Sequence, residues 1–174
     1  MVLRQSRFVF RVAYSVLLNA DDAEDASQET FLKLYRHGGW QQARNERAFL
    51  ARVAWRAAVD RRRASATANQ ASLTSDREAE SVIDPPSQQP GPEQIVTDAN
   101  EHALVHAMID ALPEELRVPI VLSTFEELNS REIGHILGIP EGTVRTRLQR
   151  AREVLRRKLA ALDQNHAAEA RYAR

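Results

Sequence analysis

A chain of 174 residues holds one medium domain or two small ones, and with no cysteine it can build neither a disulfide framework nor a thiolate metal cage. Its 24 Lys+Arg and 24 Asp+Glu cancel to zero net charge, yet the signs are segregated: 12 bases against 7 acids over 1–63, Arg77 against 8 acids over 64–112, and 11 bases against 9 acids over 113–174. Two basic modules around an acidic connector suit a polyanion gripped at two places, although most charge runs are plain solvated surface.

The opening segment MVLRQSRFVFRVAYSVLLNA is interrupted by Arg4, Arg7 and Arg11 and runs into acidic residues, so it reads as neither a signal peptide nor a membrane span. A cytoplasmic protein with no membrane insertion is expected. Helical periodicity dominates from here on, and no strand-like alternation competes with it. Val9, Val12, Ala13, Val16 and Leu17 share one face of a first helix. Ala23, Ala26, Ser27, Thr30, Phe31 and Leu34 do the same for a second, which His37-Gly38-Gly39 stops with a glycine end signal. A third helix is expected to bury Leu50, Val53, Ala54, Ala57 and Ala58. Three short helices over 1–63 make a small but feasible core.

From Ala64 to about Asn100 the pattern dissolves into Ala, Ser, Gln and acids, with Pro85-Pro86, Pro90-Gly91 and Pro92. Such a segment buries too little apolar surface to offset its ordering entropy, so 64–99 is expected to be a flexible linker. Periodicity returns with Leu104, Val105, Met108, Ile109 and Leu112. Pro113 then suits the first turn of a helix whose apolar face is Val118, Val121, Leu122 and Phe125, with Pro119 inside it. The fold class expected is all-α: two small helical domains, 1–63 and 100–160, joined by the linker and followed by a tail over 161–174.

The most informative stretch is 128–159. Asn129 is a good N-cap with Glu132 three residues on, the spacing of a capping box. Ile133, Ile136 and Leu137 face inward, Gly138 closes the helix, Ile139 plugs the turn and Pro140 opens the next. A short helix, a tight glycine turn and a longer helix make a helix-turn-helix. In the second helix Val144, Leu148, Ala151 and Leu155 form a core stripe, while Arg145, Thr146, Gln149 and Arg150 lie on the outward side. A recognition helix presents such residues to base edges, arginine pairing with guanine and glutamine with adenine. Thr143 stands beside that face, and Arg147, Arg152, Arg156 and Arg157 suit phosphates or solvation. The competing reading is a bundle with an arginine-rich solvated helix. Gly134 costs up to about 1 kcal/mol inside a short helix, which close packing against the recognition helix would explain.

LPEELRVPIVLSTFEELNSREIGHILGIPEGTVRTRLQRAREVLRRKL, over 112–159, resembles region four of extracytoplasmic-function (ECF) sigma factors of the sigma-70 family, IPEGTVRTRLQRAR being its most specific part. DDAEDASQETFLKLYR, over 21–36, resembles the polymerase-binding helix of region two, and AFLARVAWRAAVDRRR, over 48–63, the promoter-melting helix that follows. The resemblance implies a partner, core RNA polymerase, and promoter DNA bound at a duplex minus-thirty-five element and an unwound minus-ten element. It places Thr143, Arg145, Thr146, Arg147, Gln149 and Arg150 at the former. Arg44, Asn45 and Arg47 fall in the loop that reads a flipped base, with Arg52 and Arg56 along the next helix. Asp22, Asp25, Gln28 and Glu29 match the polymerase-binding positions. An anti-sigma protein is a further partner the family admits. The family's first helix usually begins earlier, so a slightly truncated N-terminus is expected.

Other constellations add little. Asp21, Asp22, Glu24 and Asp25 lack the glycine and distal glutamate of a calcium loop, and a solvated acidic face competes with a docking role. His102 and His106 lack a third ligand. There is no nucleophile elbow and no phosphate-binding glycine loop, so no enzyme, metal or cofactor is expected. Trp40, Phe49 and Trp55 could stack on bases, although small helical domains more often bury such rings as core, and Arg52, Arg56 and Arg63 form a basic stripe suited to a DNA strand. The rival functions are a stand-alone helix-turn-helix regulator of duplex operators and a module that sequesters another regulator. The regulator has no need of residues 1–63, and the sequestering module no need of a basic recognition face.

Overall fold

The computed structural model describes residues 2–38, 43, 45–72 and 96–172, with side chains described over 5–36, 38, 43, 45–67 and 103–162. Seven helices and no strand occur among the described residues: α1 (Val2–Leu17), α2 (Ala20–His37), α3 (Glu46–Ser72), α4 (Val96–Asp110), α5 (Glu114–Thr124), α6 (Ser130–Leu137) and α7 (Glu141–Tyr172).

The first three helices pack mutually, because each offers one stripe of small or branched residues. Val9, Val12, Ala13 and Val16 of α1 meet Ala23, Ala26 and Leu34 of α2 and Leu50, Ala54, Ala57 and Ala58 of α3, all buried. Alanines let α2 and α3 approach closely, and the two polar residues in that seam bond their own helix: Ser27 Oγ donates to Ala23 O at 2.6 Å and Thr30 Oγ1 to Ala26 O at 2.7 Å. Asn19 caps α2 by accepting from the Asp22 N–H at 2.9 Å. Leu18, at φ 53°, makes the left-handed turn between α1 and α2.

The second bundle is α4 to α7, with Met108, Ile109, Leu112, Leu116, Val118, Val121, Leu122, Ile133, Ile136, Val144, Leu148 and Ala151 buried. Here Pro113 is the N-cap of α5, and Phe125 its C-cap. The two bundles are in contact, α1 lying on α5 and α3 on α6, so that one apolar cluster runs through both.

Three sequence expectations shift. Helix α3 continues nine residues past Arg63, since ASATANQAS contains no Gly or Pro and four alanines. Helix α4 already begins at Val96, after the last linker proline, Pro92. Leu104 and Val105, part of the returning apolar period, are 38% and 40% exposed, and among the described side chains of α4 burial begins at Met108. The linker prolines, Trp40, Arg44 and the His102 side chain lie outside the described residues.

Candidate nucleic-acid interface

The helix-turn-helix is built as its spacing requires. Asn129 Oδ1 accepts from the Arg131 and Glu132 N–H groups at 3.1 and 3.0 Å, and Glu132 Oε2 accepts from the Asn129 N–H at 2.9 Å, completing the capping box. Gly138 ends α6 in the left-handed region at φ 68°. Gly134 is needed for space: a Cβ there would stand 2.8 Å from the Ile139 carbonyl oxygen. The turn is thereby drawn tight, with the Ile139 N–H on Gly134 O at 3.1 Å, and α7 leaves at a fixed angle.

On α7 the inward stripe Val144, Leu148 and Ala151 is buried and Leu155 half-buried, while Arg145, Thr146, Gln149 and Arg150 are all exposed. Arg145 pairs with Glu141 one turn back, and Thr146 Oγ1 donates to Gly142 O at 3.0 Å. Thr143 is half-buried. Arg147 departs from this exposed set: it turns toward α5, with its guanidinium 4.0 Å from Glu115. The outward face is thus two arginines, a glutamine and a threonine, a donor-rich set matched to base edges and phosphates.

In the first bundle, Arg52, Arg56 and Arg63 are exposed along α3, as their spacing predicts. Trp55 is half-buried and lines a groove with Val118, Pro119, Leu137 and Ile139 of the second bundle. Phe49 packs against the core. Asn45 stands just before α3, its Oδ1 accepting from the Ala48 N–H at 3.1 Å while its Nδ2 donates to Glu132. Arg47 lies over the Phe8 ring and faces Glu126 at 3.5 Å and Glu127 at 3.6 Å.

The acidic helix α2 carries a feature the sequence reading missed. Asp22 and Asp25 both meet Arg61, at 2.7 and 2.6 Å, and Glu29 meets Lys33 at 2.7 Å. Hydrogen bonding to Asp22, reinforced by Asp25, raises the Arg61 guanidinium above its ordinary range. The acids are therefore neutralised within the chain rather than standing free. Beside them, Leu32 is 54% and Tyr35 90% exposed. Asp25, Gln28, Leu32 and Tyr35 recur at steps of three and four, so polar and apolar groups share one open stripe. Their distance from the Ala23–Ala26–Thr30 stripe was the available signal.

Two buried charges were equally unforeseen. Arg117, 5% exposed, donates to the Ser15, Asp110 and Leu112 carbonyls at 2.7, 3.1 and 2.8 Å, tying the α4–α5 corner to the end of α1; burial lowers its pKa. Glu126 is fully buried and accepts from Arg11 Nε at 2.8 Å. Among the described residues no group of His, Asp and Glu could hold a metal ion, and no helix is long and apolar enough to cross a membrane.

Comparison with known proteins agrees with this geometry. The Sigma-70 region 2 family matches residues 1–67, and the Sigma-70 region 4 family residues 102–155. The ECF RNA polymerase sigma factor SigE of Mycolicibacterium smegmatis is 35% identical over 92% of the chain, which spans 60% of that relative's length. SigW of Bacillus subtilis, another ECF RNA polymerase sigma factor, is 33% identical over 88% of the chain and 84% of its own. In fold, the chain is similar to the sigma factor RpoE in complex with the anti-sigma factor NepR from Bartonella quintana (TM-score 0.67, 22% identity, 91% and 94% of the two chains). It is also similar to CnrH in complex with the cytosolic domain of CnrY (TM-score 0.58, 22% identity, 92% and 85%). With both family regions in order and relatives of this identity along nearly its whole length, the chain belongs to the extracytoplasmic-function group of the sigma-70 family of RNA polymerase sigma factors.

Proposed function

We propose that the chain binds core RNA polymerase in the cytoplasm and directs it to promoters, acting as a non-catalytic initiation factor. The observation that carries this reading is the pairing of a helix-turn-helix over 128–159 with the open α2 stripe of Asp25, Gln28, Leu32 and Tyr35. A stand-alone regulator has no need of that stripe. An interface core of exposed Tyr and Leu ringed by acids and amides suits a basic protein helix, since aromatic anchors dominate interface energies. In this reading Asp22 and Glu29 flank the polymerase contact. Arg145, Thr146, Gln149 and Arg150 read the duplex minus-thirty-five element, with Thr143 and Arg147 at its margin. Arg44, Asn45 and Arg47 read the unwound minus-ten element, and Arg52 and Arg56 guide its strand. The fold's likeness to a sigma factor held by an anti-sigma factor supports an anti-sigma partner as well.

The test is reconstitution: core polymerase, the purified chain and fragmented genomic DNA, with transcript ends sequenced. Initiation at discrete sites that depends on the chain is the expected result. Duplex operator binding with no effect on polymerase would instead establish a stand-alone regulator.

A further inference from the structure

Three consecutive arginines on α3 go three ways. Arg63 stays on the exposed stripe with Arg52 and Arg56. Arg62 pairs with Glu114. Arg61 falls about 140° from that stripe, being five residues past Arg56 at about 100° per residue. It turns instead to α2, where its Nε donates to Asp22 Oδ1 at 2.7 Å and its Nη2 to Asp25 Oδ2 at 2.6 Å.

Packing sets this reach. Ala23 and Ala26 of α2 and Ala54, Ala57 and Ala58 of α3 are wholly buried, so the two helices run close and one long side chain spans the rim of the seam. Asp22 and Asp25, one turn apart, lie on the same side of α2. The bridge adds little to the fold itself. The side chains of Arg61, Asp22 and Asp25 are 34%, 36% and 53% exposed, and ion pairs this open are worth little to stability. The alanine seam already holds α2 on α3.

What the bridge does fix is orientation. A planar fork bonded through two nitrogens sets both carboxylates at once, which the single ammonium of a lysine cannot do. Each carboxylate has two acceptor oxygens. Asp22 Oδ2 and Asp25 Oδ1 have no partner among the described residues. One cation against two anions leaves the corner net negative. Glu29, by contrast, is paired within its own helix, to Lys33.

We infer that Arg61 is a positioning residue for polymerase docking: it holds Asp22 and Asp25 in one orientation and leaves an oxygen of each to accept from cationic side chains of the partner. The inference rests on the polymerase contact assigned to α2 above. Carboxylates ordered in the free chain need not be ordered on binding, and the gain appears mainly as slower dissociation.

The test follows association and dissociation of the full chain on immobilised core RNA polymerase. Arg61→Lys keeps the charge and gives up the fork. It should dissociate roughly five- to tenfold faster, the effect of a side chain left to be ordered on binding, with association little changed. Arg61→Met bares both carboxylates, so at low salt it should associate faster than wild type and still dissociate faster. Both variants should keep the wild-type urea midpoint. Asp22→Ala with Asp25→Ala should weaken binding by itself, and adding Arg61→Lys to it should change dissociation less than about twofold, since nothing remains to be positioned. Wild-type or slower dissociation of folded Arg61→Lys overturns the inference, as does an undiminished Arg61→Lys effect without the two aspartates. So does a loss of binding that tracks a lowered urea midpoint. In each of those cases weak binding by the aspartate-free variant leaves the assigned contact standing, whereas wild-type binding by that variant overturns contact and inference together.

Discussion

Replacing Gly134 with alanine sets two local effects against each other. Alanine inside a helix is favoured over glycine by up to about 1 kcal/mol. Its Cβ, however, would stand 2.8 Å from the Ile139 carbonyl oxygen and 3.6 Å from the Glu141 nitrogen. Both are backbone atoms, so no side chain can swing aside, and α6 must part from the turn. Overpacking of this kind costs roughly 1–3 kcal/mol. The Ile139 N–H bond to Gly134 O weakens with it, for about 1 kcal/mol more. The net expectation is a loss of about 1–3 kcal/mol. Gly142→Ala is the matched control: nothing lies within 4 Å of its Cβ, so only the propensity gain of up to about 1 kcal/mol remains. Urea unfolding of the two full-length variants, followed by circular dichroism, measures the difference. A Gly134→Ala protein as stable as Gly142→Ala would refute the claim that the turn is closed by contact at Gly134.

Further outcomes follow from the named contacts. Arg145→Ala or Arg150→Ala should cost roughly 1–3 kcal/mol of DNA binding and relax preference at one base position, whereas Arg157→Ala should weaken all sequences alike and lower the salt slope; a binding-site selection on each variant separates them. Arg117→Leu leaves the Ser15, Asp110 and Leu112 carbonyls without their donor, a loss of about 3 kcal/mol at roughly 1 kcal/mol each, read as a lower urea midpoint. Burial raises the Asp110 pKa, so its folded form binds a proton more tightly than the unfolded chain does. Stability should then fall as pH rises from the ordinary carboxylate range through that raised value, and Asp110→Asn, still able to accept from Tyr14, should flatten this part of the pH profile.

How much was legible in the sequence depended on the range of the interaction that decides it. The helix-turn-helix could be read because its cap, its turn glycine and its core stripe all act within four residues, from Asn129 to Ala151. The buried stripes of α1 and α2 were legible for the same reason. Glu126 and Arg117 were not: their burial is created by Arg11 and Ser15, 115 and 102 residues away in sequence. Likewise Asp22 and Asp25 read as free acids because Arg61, 39 and 36 residues on, cannot be assigned to them from periodicity. The contact between bundles is of this kind too. Each half supplies a complete apolar stripe of its own, and nothing local says that α1 also covers α5.

The central claim is that α2 docks on core RNA polymerase, and a pull-down with Asp25→Lys and Glu29→Lys tests it most directly. Both residues are solvent-accessible, and their pairs with Arg61 and Lys33 are surface pairs of about 0–1 kcal/mol, so the helix should remain folded by circular dichroism. The account predicts that immobilised core polymerase retains the wild-type chain and loses the double variant, with transcription lost in parallel. Wild-type retention of a well-folded double variant would contradict it.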